Sequence, residues 1–302
     1  MKVCSLFSGI GGFDKGFIDA GYDIVWANDV DKYAVQTYRA NYSSPIVLDN
    51  IDKVSFDSIP NYDVLIGGFP CQPFSLMGER KGFNDVRGTC FFRIIQIIKE
   101  QQNRGSIPRA VVLENVRGLK QHDGGKTFKV IYEELKSFGY KIYSDVLNSA
   151  DYGVPQTRNR MFIVCIKDEK KEFDFPKPIK LDICLQDLLE KEVDEKYFLS
   201  ERIKKTILSN GSGGYYSKSE VDLRVARPLC ATMAKMHRAC QDNYVTQKGR
   251  LRRLTPRECA RLQGFEDSFI IPVSDTQAYK QFGNAVTVNV SRAIANSLLG
   301  VL

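Results

Sequence analysis

Between Lys2 and Ile166 the apolar positions alternate between two periods. Runs rich in Val, Ile and Leu at 2–7, 23–28, 62–67, 109–114, 140–147 and 161–166 predict strands. Between them, "GGFDKGFIDAG", "DKYAVQTYRANY", "TCFFRIIQIIKEQQN" and "KTFKVIYEELKSFG" place apolar residues three or four apart, the spacing of amphipathic helices. Gly21 and Gly139 stand where C-caps belong. Strands and helices in alternation predict an α/β fold with a doubly wound, mostly parallel sheet covered on both faces. The pattern breaks after Cys165, where "KDEKKEFDFPKPIK" is charged and carries proline. Beyond it the periodicity weakens and "NGSGGYYSKS" (210–219) reads as a loop. We therefore expect a first domain of 1–185 plus 276–302 and a smaller, irregular second domain at 186–275. A helix is expected at "TPRECARLQGF", with Thr255 as N-cap and Pro256 at its first position. The final "NVSRAIANSLLGVL" is amphipathic and should pack back on the first domain.

Composition narrows the class. No apolar run approaches the roughly 20 residues that span a bilayer, so no membrane segment is expected. The start, "MKVCSLFSGIGG", lacks a secretory apolar region and cleavage site, and the expected location is the cytoplasm. The cysteines form no Cys-x-x-Cys pair, and His122 and His237 are the sole histidines, so neither a disulfide framework nor a metal site is expected. A net charge of +7 permits a polyanionic partner without requiring one. "QKGRLRR" (247–253) sets four positive charges in seven residues with no acid, which suits either a solvated face or phosphate contact.

Candidate chemistry begins with "VCSLFSGIGGFDKGF", a strand, a glycine turn and a helix, followed by Asp29 at the end of the next strand. Glycines let a backbone approach a nucleotide-type cofactor, and the later carboxylate accepts from ribose hydroxyls. The spacing is G-x-G-G, however, and Asp14 replaces the third glycine of the dinucleotide fingerprint. A carboxylate there would oppose a pyrophosphate. An adenosyl cofactor without phosphates fits better, which points to S-adenosylmethionine, with Phe7 stacked on the adenine or facing the sulfonium. Phe7 could equally be a core residue at a strand end. Cys71 in "GGFPCQPFS" and Glu114 in "VVLENV" each follow or end a strand, so both should face the carboxyl edge of the sheet, a thiol beside a carboxyl. "QTRNR" precedes the strand "MFIVCI"; if that strand runs antiparallel, Arg158 and Arg160 enter at the same edge.

Together these residues resemble the cytosine-C5 DNA methyltransferases. The family's motifs appear in order over nearly the whole chain: "LFSGIGGF", "GFPCQPFS", "ENV", "QTRNR", "RLTPRECARLQGF" and "QFGNAV". The resemblance is to the short bacterial or phage enzymes of restriction-modification systems. It implies that Cys71 attacks C6 of a cytosine flipped out of double-stranded DNA, and that C5 then takes the methyl group. It assigns N3 to Glu114, which must stay protonated through burial, the cytosine O2 to Arg160, and support of the thiolate to Arg158. Cofactor contacts are implied for Phe7, Ser8, Gly9, Gly11, Gly12, Asp29, Asn50, Ile51, Pro70, Asn284 and Ala285. DNA contacts are implied for Gln72, Ser75, Arg80 and Arg87 beside the nucleophile, for Thr232 in "CATMAK", and for Lys248, Arg250 and Arg252 on the phosphates. Two positions depart from the pattern: Asn50 stands where many relatives have an acid, and Ala285 where serine is also common. One-base chemistry needs no more than a monomer, and no metal. The rival readings are an RNA cytosine methyltransferase, whose Cys-Phe-Thr segment is missing here, a non-catalytic relative, and a nicotinamide dehydrogenase.

Overall fold

The computed structural model describes residues 1–70, 89–209, 211–212, 215–216, 220–235, 237–238 and 240–302. In chain order the elements are β1 (Lys2–Leu6), α1 (Gly12–Asp19), β2 (Asp23–Asp29), α2 (Lys32–Asn41), β3 (Ile46–Leu48), β4 (Val64–Gly68), α3 (Thr89–Asn103), β5 (Ala110–Val116), α4 (Lys126–Ser137), β6 (Lys141–Asn148) and β7 (Asn159–Ile166). There follow α5 (Glu201–Leu208), β8 (Gly211–Ser212), β9 (Tyr215–Tyr216), β10 (Tyr244–Gln247), β11 (Arg250–Arg253), α6 (Pro256–Leu262), α7 (Asp275–Asn284) and α8 (Val288–Leu299).

The first seven strands form one sheet in the order β3-β2-β1-β4-β5-β7-β6. β1, β2, β3, β4 and β5 pair in parallel, and β7 pairs antiparallel with β5. This is the expected α/β architecture, with one added strand. β3 escapes the sequence pattern because three residues between polar neighbours are too short to show a period. The central strands are buried almost completely: Val64, Leu65, Ile66 and Val111, Val112, Leu113 are closed to solvent. Cys4 and Cys165 lie in this core, and burial pushes both thiols up, as suits inert packing residues.

The chain divides into two compact units. Unit 1 is Met1–Leu147, Asn159–Pro176 and Ser291–Leu302; unit 2 is Asn148–Arg158 and Lys177–Val290. Residues 148–158, 177–185 and 276–290, which periodicity groups with the sheet, thus cluster with unit 2, and the boundary separates Arg158 from Arg160. In unit 1, α8 from Ser291 onward packs on α1: Ser291 Oγ donates to Phe13 O at 2.6 Å, and a Cβ on Gly16 would lie 2.5 Å from the Arg292 nitrogen. In unit 2, α6 starts as expected. The Thr255 hydroxyl accepts from Glu258 N, the Glu258 carboxylate accepts from Thr255 N, and Pro256 opens the helix.

Candidate active site

At the carboxyl edge of β1 the backbone turns sharply. Phe7, Gly9 and Gly11 all have positive φ, of 55°, 56° and 81°. For Phe7 this is a strained conformation, held because Ser8 N donates to Asn28 O at 2.9 Å and Gly9 N donates to Asp29 Oδ2 at 2.8 Å. Gly11 has no alternative, since a Cβ there would sit 2.3 Å from the Tyr42 ring, whose hydroxyl donates to Gly11 O. Asp14 corrects the sequence argument. It is fully buried and does not face a ligand: Ser5 Oγ and Tyr38 OH each donate to its carboxylate at 2.9 Å. Burial pushes its carboxyl up to about 6. Ser8 Oγ in turn donates to Ser5 Oγ, so the loop is tied to the helix behind it.

Asp29 ends β2 with its carboxylate also accepting from Asp31 N at 2.8 Å, and burial raises its pKa. Beside it Val30 is 70% exposed, an apolar platform that the motif reading overlooked. Asn28, also overlooked, is buried and donates to Val47 O and Asp49 O, fixing the end of β3. Asn50 Oδ1 accepts from Asp52 N as the cap of a short 3₁₀ turn, and Ile51 is buried beneath it.

On the other side of β4, the register of β5 against β7 sets the candidate acid beside the arginine expected at the cytosine O2. Phe162 lies opposite Glu114 and Arg160 opposite Val116, so Glu114 and Arg160 are diagonal neighbours on one face of the sheet. Arg160 Nε stands 3.0 Å from Glu114 Oε1, both side chains mostly withdrawn from solvent. Asn115, missed in the sequence, is buried and donates to Phe69 O at 3.0 Å, which anchors the chain just before Pro70, itself exposed. Cys71, Gln72, Ser75, Arg80 and Arg87 lie outside the described residues.

A glycine turn backed by Asp29 on one strand and an Arg-paired carboxyl on another share the carboxyl edge of one sheet. The family model for C-5 cytosine-specific DNA methylase matches residues 1–300. The chain belongs to the C-5 cytosine-specific DNA methylase family. Its sequence is 42% identical over 311 residues to Type II methyltransferase M.NlaX of Neisseria lactamica, covering 100% of this chain and 97% of that protein. It is 41% identical over 312 residues to Type II methyltransferase M.DsaV of Dactylococcopsis salina, covering 100% and 87%. In fold it is similar to the crystal structure of S. pombe Dnmt2 methyltransferase, with a TM-score of 0.82 over 99% of this chain and 98% of that one, at 21% identity.

The unit 2 residues of this methylase expected at DNA fare unequally. Arg252 is not available to a phosphate. It is fully buried, its guanidinium bonded to both oxygens of Glu258 at 2.7 and 2.8 Å, to Gln247 Oε1 and to Arg253 O. Arg250 is exposed but ion-paired with Glu195 and stacked 4.2 Å over the Phe198 ring. Lys248 occupies the tip of the β10–β11 hairpin with φ 50°, followed by Gly249 at 73°. Two positive φ values make this a turn that follows the strand twist and holds Lys248 out in solvent. Thr232 is exposed in a tight turn, where its carbonyl accepts from Lys235 N. Asn284 is exposed at the end of α7 and Ala285 is buried. Arg158 is 2% exposed, and its guanidinium donates to three backbone carbonyls, those of Leu229, Gly283 and Ala285. Among the described residues no group of three His, Cys, Asp or Glu could hold a metal, and no helix is long and apolar enough to cross a membrane.

Proposed function

We propose that this methylase transfers the methyl group of S-adenosylmethionine to C5 of a cytosine flipped out of double-stranded DNA. It does so at a short specific sequence, as the modification partner of a restriction enzyme, acting as a monomer in the cytoplasm. The observation that carries the reading is the Glu114–Arg160 pair at the carboxyl edge of the sheet. A cytosine presents N4–H₂, N3 and O2 in line, and a flipped base loses its partner for all three. A guanidinium donates to O2, while a neutral carboxyl accepts from N4 and donates to N3. Glu114 and Arg160 offer that array on adjacent strands.

The loop on β1 and β2 fits an adenosyl group in its chemistry. Asp29 accepts from a ribose diol, the Asn50 amide donates to an adenine edge, and Val30 and Phe7 offer apolar faces. No cation occurs in "FSGIGG" to receive a pyrophosphate, and Lys15 is paired with Asp19. When bound there, S-adenosylmethionine supplies a methyl group made electrophilic by its sulfonium. The chain does the rest. Cys71 forms a bond to C6, helped by the proton that Glu114 shares with N3, and the electron pair displaced from the C5–C6 double bond makes C5 a nucleophile. After C5 is methylated, a base takes the C5 proton, the double bond re-forms and the Cys71 thiolate leaves.

Duplex DNA carrying 5-fluorocytosine tests this. Fluorine cannot leave as the proton does, so the Cys71 adduct should persist as a denaturation-resistant complex that requires S-adenosylmethionine. Loss of that complex in Cys71→Ser supports the reading; an undiminished complex in that variant contradicts it.

A further inference from the structure

Arg158 and its neighbour Gln156 form a buried knot within unit 2 that the methyl-transfer chemistry leaves unexplained. Gln156 is closed to solvent; its Nε2 donates to Leu262 O at 2.7 Å and its Oε1 accepts from Leu229 N at 2.9 Å. Thr157 N donates to Ala226 O, and Ala226 N to Pro155 O. The stretch 226–229 is therefore held to 155–158 at both its ends, Ala226 by backbone bonds and Leu229 by the Gln156 and Arg158 side chains. One step further, Gly283 of α7 abuts the next peptide, and a Cβ there would lie 2.2 Å from Ala231 N. Arg158 closes the arrangement by spanning Leu229 O on one side and Gly283 O and Ala285 O on the other, at 3.2, 3.0 and 2.9 Å. Immediately beyond this root the chain makes two tight turns, Met233 N to Cys230 O and Lys235 N to Thr232 O, which leave Thr232 and Lys235 exposed.

We propose that Arg158 is a positioning residue for sequence choice: with Gln156 and Gly283 it fixes the root of the Thr232–Lys235 turn, so that this turn meets the DNA in one register. The inference rests on the DNA-methylating reading above. A planar guanidinium can bond three carbonyls arranged around it, whereas a lysine ammonium cannot reproduce that fork. Arg158→Lys keeps the charge and loosens the root. A turn free to shift reads bases less strictly, while groups on other elements keep their places.

The test uses the full chain with S-adenosylmethionine and bacterial genomic DNA, with methylated positions mapped by bisulfite sequencing. The wild type defines the consensus; for Arg158→Lys the fraction of methylation off that consensus should rise about tenfold, and KM for DNA should rise more than kcat falls. Gly283→Ala displaces the same root while leaving the Arg158 side chain itself unaltered and should shift sequence choice in the same direction. It stands in for Arg158→Lys should that variant lose its circular-dichroism melt. A fall in kcat of a hundredfold or more in Arg158→Lys, with consensus and KM unchanged, overturns the inference, because Arg158 would then act on the reacting atoms. So does an unaltered consensus in Gly283→Ala. A wild type that leaves DNA unmethylated removes the reading on which the inference rests, a different failure from either.

Discussion

Asp14 carries the most telling residue-level consequence. Its carboxyl titrates near 6 in the fold because burial disfavours the charge, against about 3.9 for an unperturbed aspartate. Its pKa is raised on folding, so its contribution to stability is fully present below about pH 4 and is lost as the pH rises through about 6. The size of that loss is about 3 kcal/mol. Urea melts between pH 4 and 7 should therefore show Asp14→Asn losing less stability with rising pH than the wild type; parallel slopes would show that Asp14 does not titrate there. Glu114 is judged by rate. Glu114→Gln keeps the shape but cannot deliver a proton to N3, and single-turnover methyl transfer should slow by about a hundredfold or more. A change of less than threefold would remove Glu114 from the chemistry. Arg158 and Arg252 show where sequence stops being legible at this scale. Arg158 sits in the motif "QTRNR" and Arg252 in the basic run "QKGRLRR", and in sequence an arginine looks the same whether it meets a ligand or buried protein acceptors. Their burial depends on Leu229, Gly283 and Glu258, which no local spacing connects to them in advance.

In the β10–β11 hairpin, too, like residues in sequence meet unlike surroundings. Its four cations read as one basic patch, but Arg252 is closed to solvent against Glu258, while Arg250, two residues earlier on the same face of β11, is exposed and Lys248 stays at the tip. Arg252→Ala leaves Glu258 buried without its partner and should cost about 3–5 kcal/mol of stability. Lys248→Ala should leave the melt unchanged and lower the slope of log Kd for DNA against log salt by about 0.9. Equal salt slopes for wild type and Lys248→Ala would take that residue off the phosphates. Elsewhere the elements were readable where they were long and regular: six strands, the Thr255 cap, and Gly21 and Gly139 with positive φ after their helices. The three-residue β3 was not, and neither was Asn115, whose bond to Phe69 O joins β5 to the residue just after β4, 46 positions away in sequence.

For the whole molecule, the alternation of strand and helix was enough to give the sheet class, because parallel strands covered on both faces must be apolar throughout. The assignment of segments to units was less legible. Residues 276–290 are helical like the first domain, yet α7 is held by contacts with Ala231 and Arg158, which are long-range and leave no periodic trace. The position of the transferred methyl group defines the activity. The direct measurement is to incubate the protein with methyl-labelled S-adenosylmethionine and either duplex DNA or tRNA, digest each to nucleosides and identify the labelled product. The account predicts label in 5-methylcytosine from DNA and little from tRNA; label on N4 of cytosine, on adenine, or in tRNA alone would contradict it.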